Sequence, residues 1–155
     1  MLQAGMTVPE LSAQNQHGQQ QTLRQLLGHK GGIIYFYPKD NTPGCTLEAN
    51  DFQSLQPSFQ ELGYTVIGIS RDSVQSHAGF CSKYGLGFTL LSDQDGSLCQ
   101  AFGVWQEKTN YGKTSMGIVR TTFVVDGQSV IVKVYPKVKT KGHAEQVLLD
   151  LRVTS

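Results

Sequence analysis

The chain has no apolar run near the roughly 18 residues that a membrane span needs. Its opening stretch, Met1-Leu-Gln-Ala-Gly-Met-Thr-Val-Pro-Glu10, has no basic segment ahead of an apolar core. It is therefore expected to work in the cytoplasm, away from membranes. It also lacks an excess of charge of either sign: Lys and Arg number 13, Asp and Glu 12. With no net field to draw it to nucleic acid or anionic lipid, its partners should be small or specific. Cysteine is scarce, with three in 155 residues, widely spaced at positions 45, 81 and 99. That odd, dispersed set is poor material for a disulfide framework, and in a reducing compartment such thiols are catalytic, redox-active or simply buried. The absence of Cys-x-x-Cys argues against a dithiol oxidoreductase. No partner ligand pair accompanies His77 and Cys81, which stand four apart, so no metal site is assigned. Repeats and long linkers are missing too, and residues 1–155 read as one domain, long enough to bury a core without staples.

What the chain does contain is an alternation of strands and helices. Ile33 to Tyr37 and Thr65 to Ser70 are short apolar runs rich in β-branched and aromatic residues, as strands covered on both faces should be. Between them Ala49, Phe52, Leu55, Phe59 and Leu62 recur at helical spacing, with Gly63 as the stop. Asp72 or Ser73 can cap a second helix running to Tyr84, with Val74, Ala78, Cys81 and Tyr84 on its inner face and Gly85 ending it. A strand at Phe88 to Leu91, a short helix near Leu98 to Phe102, and two strands, Thr121 to Asp126 and Ser129 to Tyr135, follow. A last helix over His143 to Arg152 turns Ala144, Val147, Leu148 and Leu151 inward. The Gln-rich stretch from Gln14 to Gln25 reads as a polar surface hairpin, and His17, His29 and His143 as surface residues. Together these elements predict an α/β fold, a mixed sheet flanked by helices.

Cys45 stands out by position. The loop Pro38-Lys-Asp-Asn-Thr-Pro-Gly-Cys45 carries the first central strand into the first long helix, so the thiol falls in that helix's opening turn. Free backbone N–H groups and the positive end of the helix dipole favour a thiolate there. Taken alone, the residues leave two readings open: a reactive cysteine, or a small residue at a helix start that Thr42 or Thr46 merely caps.

The loop in full, Tyr37-Pro-Lys-Asp-Asn-Thr-Pro-Gly-Cys-Thr-Leu-Glu48, resembles the peroxiredoxin active-site pattern, and in particular that of the bacterioferritin comigratory protein (Q-type) subgroup. Leu91-Ser-Asp, Phe102-Gly-Val-Trp-Gln-Glu-Lys, Tyr111-Gly-Lys and Met116-Gly-Ile-Val-Arg-Thr-Thr-Phe-Val-Val-Asp126 extend the resemblance over nearly the whole chain. It implies a thioredoxin-like fold, peroxide reduction without a bound cofactor, a monomer, and thioredoxin or a similar dithiol protein as reductant. It also implies roles for residues: Cys45 as the peroxidatic cysteine, Thr42 and Arg120 orienting and activating the peroxide, Pro38 shielding the site, and Glu48 helping to position it.

Ionisation alone would not make Cys45 a peroxidase. A thiol lowered from about 8.5 to about 6.5 gains roughly 25-fold in thiolate at pH 7 but loses nearly tenfold in nucleophilicity, a net gain of about threefold. The larger share must come from donors aimed at the oxygens as the O–O bond stretches. The Thr42 hydroxyl, the N–H groups of Gly44 and Cys45 and an arginine from elsewhere are the candidates.

Many members of the subgroup resolve the oxidised cysteine with a second one five residues on, where this chain has Asn50. Cys81, in Ser76-His-Ala-Gly-Phe-Cys-Ser-Lys-Tyr84, matches the resolving position of a second branch. Cys99 and an external thiol are the alternatives, with Cys99 expected to be a buried small hydrophobe. A non-catalytic peroxide sensor would use the same Cys45 chemistry and would differ by stopping after one equivalent.

Overall fold

A computed structural model describes residues 1–154, with Asn110 described by its backbone alone. The order of elements is β1 (Ser12–Asn15), β2 (Gln20–Thr22), α1 (Leu23–Leu26), β3 (Gly31–Phe36), α2 (Pro43–Glu61), β4 (Tyr64–Ser70) and α3 (Val74–Tyr84), followed by β5 (Thr89–Ser92), α4 (Ser97–Phe102), β6 (Trp105–Asn110), β7 (Lys113–Ile118), β8 (Thr121–Asp126), β9 (Ile131–Tyr135) and α5 (His143–Thr154). Seven strands form one sheet in the order β2-β1-β5-β4-β3-β8-β9, while β6 and β7 make a separate hairpin. The pairs β3–β4 and β4–β5 are parallel and the other neighbours antiparallel, which is the expected mixed sheet. No described helix is long and apolar enough to cross a membrane.

Strand β3 lies at the centre, and its period of two divides the core. Ile33, Tyr35 and Tyr37 face one layer with Phe52 and Phe59 of α2, Phe80 of α3 and Val147 of α5. Ile34 and Phe36 face the other with Leu98 and Phe102 of α4 and Phe123 of β8. All six residues of β3 are buried, which is why the run is apolar without alternation. Gly31, at φ +144, admits no side chain, because a Cβ there would fall 1.9 Å from the Val125 carbonyl of β8.

Helix α2 starts on Pro43, whose fixed φ suits the first helical position, and ends where Leu62 passes the chain to Gly63 at φ +88. Its buried stripe of Cys45, Glu48, Ala49, Phe52 and Phe59 lies on the sheet, so the stripe that holds the helix down also sets the first turn at the sheet's end.

Three expectations are corrected. Helix α3 is rolled by about one residue: His77 and Phe80 are fully buried, Cys81 and Tyr84 are half-buried, and Ala78 is exposed. Phe80 brings more apolar surface inward than Ala78, and His77 finds polar partners inside, so the usual cost of burying an imidazole is met. The β6–β7 hairpin was not expected, because its strands bury little beyond Ile118 and the half-buried Trp105 at the base and so carry no alternation; Tyr111 and Gly112 turn it with positive φ. His143 is buried, not on the surface, with Nε2 2.8 Å from the Thr122 hydroxyl and Phe52 and Tyr135 packed edge-on against its ring. His17 and His29 are exposed as expected, and the Gln-rich stretch forms the β1–β2 hairpin.

Burial, reinforced by the nearby Arg120 charge, pushes the His143 imidazole down to about 4. The unfolded chain therefore takes up this proton first, near 6.5, so the stability owed to neutral His143 is complete above that pH and drains away as pH falls toward 4. His143→Gln removes this titration. In urea melts between pH 7 and 4 the wild type should lose up to about 3 kcal/mol more than the variant. Parallel pH profiles for the two proteins would contradict the buried neutral ring.

Candidate active site

Cys45 is the third residue of α2 and is 1% exposed. The first intrahelical bond runs from Thr46 N–H to the Thr42 carbonyl, so the N–H groups of Gly44 and Cys45 have no acceptor within the helix and no side chain caps them. Both terminal nitrogens of Arg120 donate to Cys45 Sγ, each at 3.4 Å, and Nη1 also donates to Glu48 Oε1 at 2.8 Å. Arg120 stands between β7 and β8. Its own carbonyl accepts from Val138 N–H while Val119 N–H bonds the Val104 carbonyl, so backbone on both sides fixes the approach of the guanidinium.

Glu48 lies one helical turn beyond Cys45 on the same buried stripe. Burial pushes its carboxyl up to about 7 although Arg120 pulls the other way, and Oε2 meets no donor among the described residues. Thr42 is the N-cap of α2, but its hydroxyl donates to the Lys39 carbonyl at 2.8 Å instead of capping the helix. With that proton spent, the oxygen is left as an acceptor, so the hydroxyl does not fill the donor role expected of it.

Pro38 is half-buried and borders a cleft of about 410 Å³ shared with Arg71, Gln94, Trp105, Lys108, Gly117 and Ile118. The Arg71 guanidinium stacks over the Trp105 ring, 4.6 Å from its centroid. Lys108 Nζ donates to the Ile118 carbonyl at 2.7 Å, and burial and the Arg120 charge hold its ammonium below the usual lysine range. Nothing in the spacing singled out Lys108, which entered only as the last residue of the Phe102-Gly-Val-Trp-Gln-Glu-Lys resemblance.

All three cysteines are free thiols. Cys81 borders a separate cleft with Gln16, His17, Ala78, Ser82, Leu86 and Gly87, none of which belongs to the Cys45 loop. Burial and the charge of Asp40 push its thiol up to about 11. Cys99 is fully buried, and its thiol is raised further by burial and Asp93, as suits a core residue. The pairing of His77 with Cys81 does not form. Both ring nitrogens of His77 are engaged elsewhere, Nδ1 with Asp40 at 2.7 Å and Nε2 with the Leu91 carbonyl at 3.0 Å. Asp40, Asp72 and His77 do cluster within 4.8 Å, but they spend their donors and acceptors on one another and on Ser70, Ser76 and Tyr37. The contact between Asp40 and His77 was not foreseen, since two loop-and-helix residues so far apart leave no periodic trace of meeting.

The AhpC/TSA family profile matches residues 4–134. The chain is 50% identical over 135 residues to Peroxiredoxin Bcp of Xanthomonas campestris, covering 87% of this chain and 84% of that one. Against Peroxiredoxin Bcp of Bacillus subtilis it is 42% identical over 151 residues, covering 97% and 96%. Among solved structures, Xanthomonas campestris Peroxiredoxin Q superposes with a TM-score of 0.89 at 46% identity, covering 97% of each chain. Two cysteine-to-serine mutants of that protein have also been solved, and the two mutated positions lie as far apart in sequence as Cys45 and Cys81.

The environments of Cys81 and Cys99 predict a graded reactivity. In native reduced protein the alkylation of Cys81 by iodoacetamide should climb about tenfold per pH unit from 7 to 9 without levelling, while Cys99 stays unmodified until the protein unfolds. Peptide mass mapping reads both sites. A plateau for Cys81 below pH 9 would contradict its raised thiol.

Proposed function

Since the chain belongs to the AhpC/TSA family and is a thiol-dependent peroxidase among the Bcp/PrxQ peroxiredoxins, we propose that Cys45 attacks the peroxide, Cys81 resolves it, and thioredoxin or a similar dithiol protein restores both. The Arg120 fork on the Cys45 sulfur carries this assignment. A guanidinium held by Glu48 beside the sulfur lies where charge develops on the reacting oxygens. The Thr42 oxygen, its own proton given to Lys39, accepts the hydroperoxide O–H, and the N–H groups of Gly44 and Cys45 face the same reaction space. Pro38 screens the site from bulk water.

In the first step the thiolate sulfur bonds the terminal peroxide oxygen, the O–O bond breaks, and the departing alkoxide leaves as alcohol after taking a proton. Cys45 becomes a sulfenic acid. The Cys81 thiol then attacks that sulfur; the S–O bond breaks, the hydroxide leaves with the thiol proton as water, and a disulfide joins the two residues. A dithiol protein reduces it by exchange. Spacing supports Cys81, since the two mutated cysteines of the Xanthomonas protein are separated by the same stretch of chain. Residues 1–155 act as one unit, monomeric and cytoplasmic; a site assembled from residues of this chain supports the monomer.

Cys45 lies under Arg120 while Cys81 borders a separate cleft beside Gln16 and Leu86, and in this reading α3 unwinds to close the disulfide. A loop of this length constrains the unfolded chain by about 4 kcal/mol, enough to offset local melting costing a few kcal/mol while the sheet stays folded.

Cys45→Ser should abolish peroxide consumption with the fold intact, because a serine hydroxyl is neither ionised nor soft enough to attack oxygen. Cys81→Ser should react once, accumulate sulfenic acid and lose thioredoxin-driven turnover, whereas Cys99→Ser turns over like wild type. Equal multiple-turnover rates in the last two would sink the role of Cys81, and mapping the disulfide formed after one equivalent of peroxide names the pair directly. Arg120→Lys, which cannot form the two-nitrogen fork, should slow the first oxidation at least about tenfold, or about 1.4 kcal/mol of barrier. A normal stopped-flow rate at saturating thiolate would place Arg120 outside the transition state.

A further inference from the structure

Asp40 sits between Pro38 and Cys45, inside the loop that forms the peroxide site, yet its hydrogen bonds run largely to α3 and the segment before it. Its carboxylate accepts from the Ser76 hydroxyl at 2.8 Å and meets His77 Nδ1 at 2.7 Å; the third donor is the Tyr37 phenol at 2.6 Å. Its backbone N–H donates to Asp72 Oδ2 at 2.9 Å, and that oxygen also accepts from the Ser70 hydroxyl at 2.6 Å. The far side of the His77 ring meets the Leu91 carbonyl of β5, which can only accept, so Nε2 carries a proton. Burial would raise Asp40, but its bonds from His77, Tyr37 and Ser76 outweigh that and hold the carboxyl below its usual range. Nδ1 meets the Asp40 carboxylate on the near side, so fixed partners hold the ring at both nitrogens. The pair is fully enclosed, with the side chains 0% and 1% exposed.

We propose that Asp40, Ser76 and His77 form a latch that holds the Cys81 helix closed while Cys45 awaits peroxide, so that unwinding α3 to resolve Cys45 also dismantles the peroxide-binding loop. The inference rests on the resolving role given to Cys81 above.

Both halves of the latch follow from its connections. Unwinding α3 removes Ser76 and His77 from Asp40 and leaves a buried carboxylate with the Tyr37 phenol alone on its side chain, a costly state that keeps the helix wound in the reduced protein. Once it is released, the loop loses its anchor. Asn41, next in the chain, holds a left-handed conformation at φ +63, and the Thr42 hydroxyl is held by the Lys39 carbonyl on the other side of Asp40. The closed latch also keeps Cys81 within the field of Asp40, which helps hold it as a poorly reactive thiol. Latch strength thus sets how long the sulfenic acid waits. During that wait a second hydroperoxide can add its terminal oxygen to the sulfur, releasing alcohol and leaving Cys45 as sulfinic acid. His77 and Asp40 are positioning residues, touching neither peroxide nor the reacting sulfur.

The test uses the full chain with Ser76→Ala, which removes one donor and leaves the Asp40–His77 contact, and Asp40→Asn, which removes the carboxylate at nearly constant size. In reduced protein, amide exchange over 74–84 should quicken by about fivefold in Ser76→Ala, the scale of one lost hydrogen bond, and by more in Asp40→Asn. Stopped-flow fluorescence of Trp105 should then show disulfide closure accelerated by a similar factor and the first oxidation unchanged or slowed, with less sulfinic acid formed at high peroxide. General destabilisation would not speed one chemical step while sparing or slowing the other. Should Asp40→Asn not fold, Ser76→Ala alone decides. Unchanged exchange over 74–84 overturns the latch, and faster exchange with closure no faster overturns its control of resolution. Repeating the exchange in a Cys81→Ser background separates the two proposals, because the closed latch is read there without any disulfide. A disulfide mapped to another cysteine would fell the role of Cys81, not the exchange result.

Discussion

The guanidinium of Arg120 serves two acceptors at once, and the peroxide site depends on its doing so. One nitrogen bridges Glu48 and Cys45 while the other reaches the sulfur alone. A buried carboxylate beside an arginine rarely adds net stability, because desolvation offsets the attraction. Glu48 shows that balance in its carboxyl, raised by burial to about 7 with the arginine beside it. The folded protein therefore holds this proton more tightly than the unfolded chain does, and the stability it confers below about 4.5 is lost as pH rises through 7. What Glu48 provides is aim. Its oxygen accepts from Nη1 whether the group is charged or neutral, so the fork stays on the sulfur across that range, and the neutral form leaves more of the positive charge for Cys45.

The remaining architecture delivers these groups to one point. Cys45 and Glu48 come from a single buried stripe, and that stripe is fixed by Phe52 and Phe59 against the Tyr35 face of β3. Arg120 arrives on the chain entering β8, the antiparallel neighbour of β3, whose register places Thr121 opposite Phe36 at the strand's end. Thus adjacent strands of one sheet carry the sulfur loop and the arginine, and sheet pairing sets their distance. Displacing either by a rotamer would break two hydrogen bonds to Sγ at once.

Sequence pattern reached part of this. Central strands, the α2 stripe and the inward face of α5 were legible because burial on two faces or one leaves a period that composition records. Cys45 at the helix start was legible from the loop, and Arg120 and Glu48 only from motif resemblance, since their pairing spans most of the chain. Three features were not legible, each for a physical reason. The β6–β7 hairpin buries too little to alternate, the roll of α3 turns on polar partners that satisfy His77 inside the core, and His143 is buried through a bond to Thr122 on a distant strand. Partner-dependent burial of polar groups is what a one-dimensional pattern omits.

The three thiols show how one chain gives the same chemical group three characters. Burial acts on all of them, and it disfavours a thiolate wherever nothing compensates. At Cys99 the neighbour is Asp93, and at Cys81 it is Asp40, so charge adds to burial and both thiols are raised. At Cys45 the neighbour is a guanidinium at the positive end of a long helix. The sign of the adjacent charge thus sets Cys45 apart from the other two thiols. For the proposed resolving role of Cys81 it also supplies a chemical reason for motion. Cys81 cannot become a good nucleophile while Asp40 lies beside it, and Asp40 is held there by the helix that carries Cys81. In the proposed cycle, unwinding that helix would move the thiol away from the carboxylate and into water, letting the proton leave as the sulfur reaches Cys45.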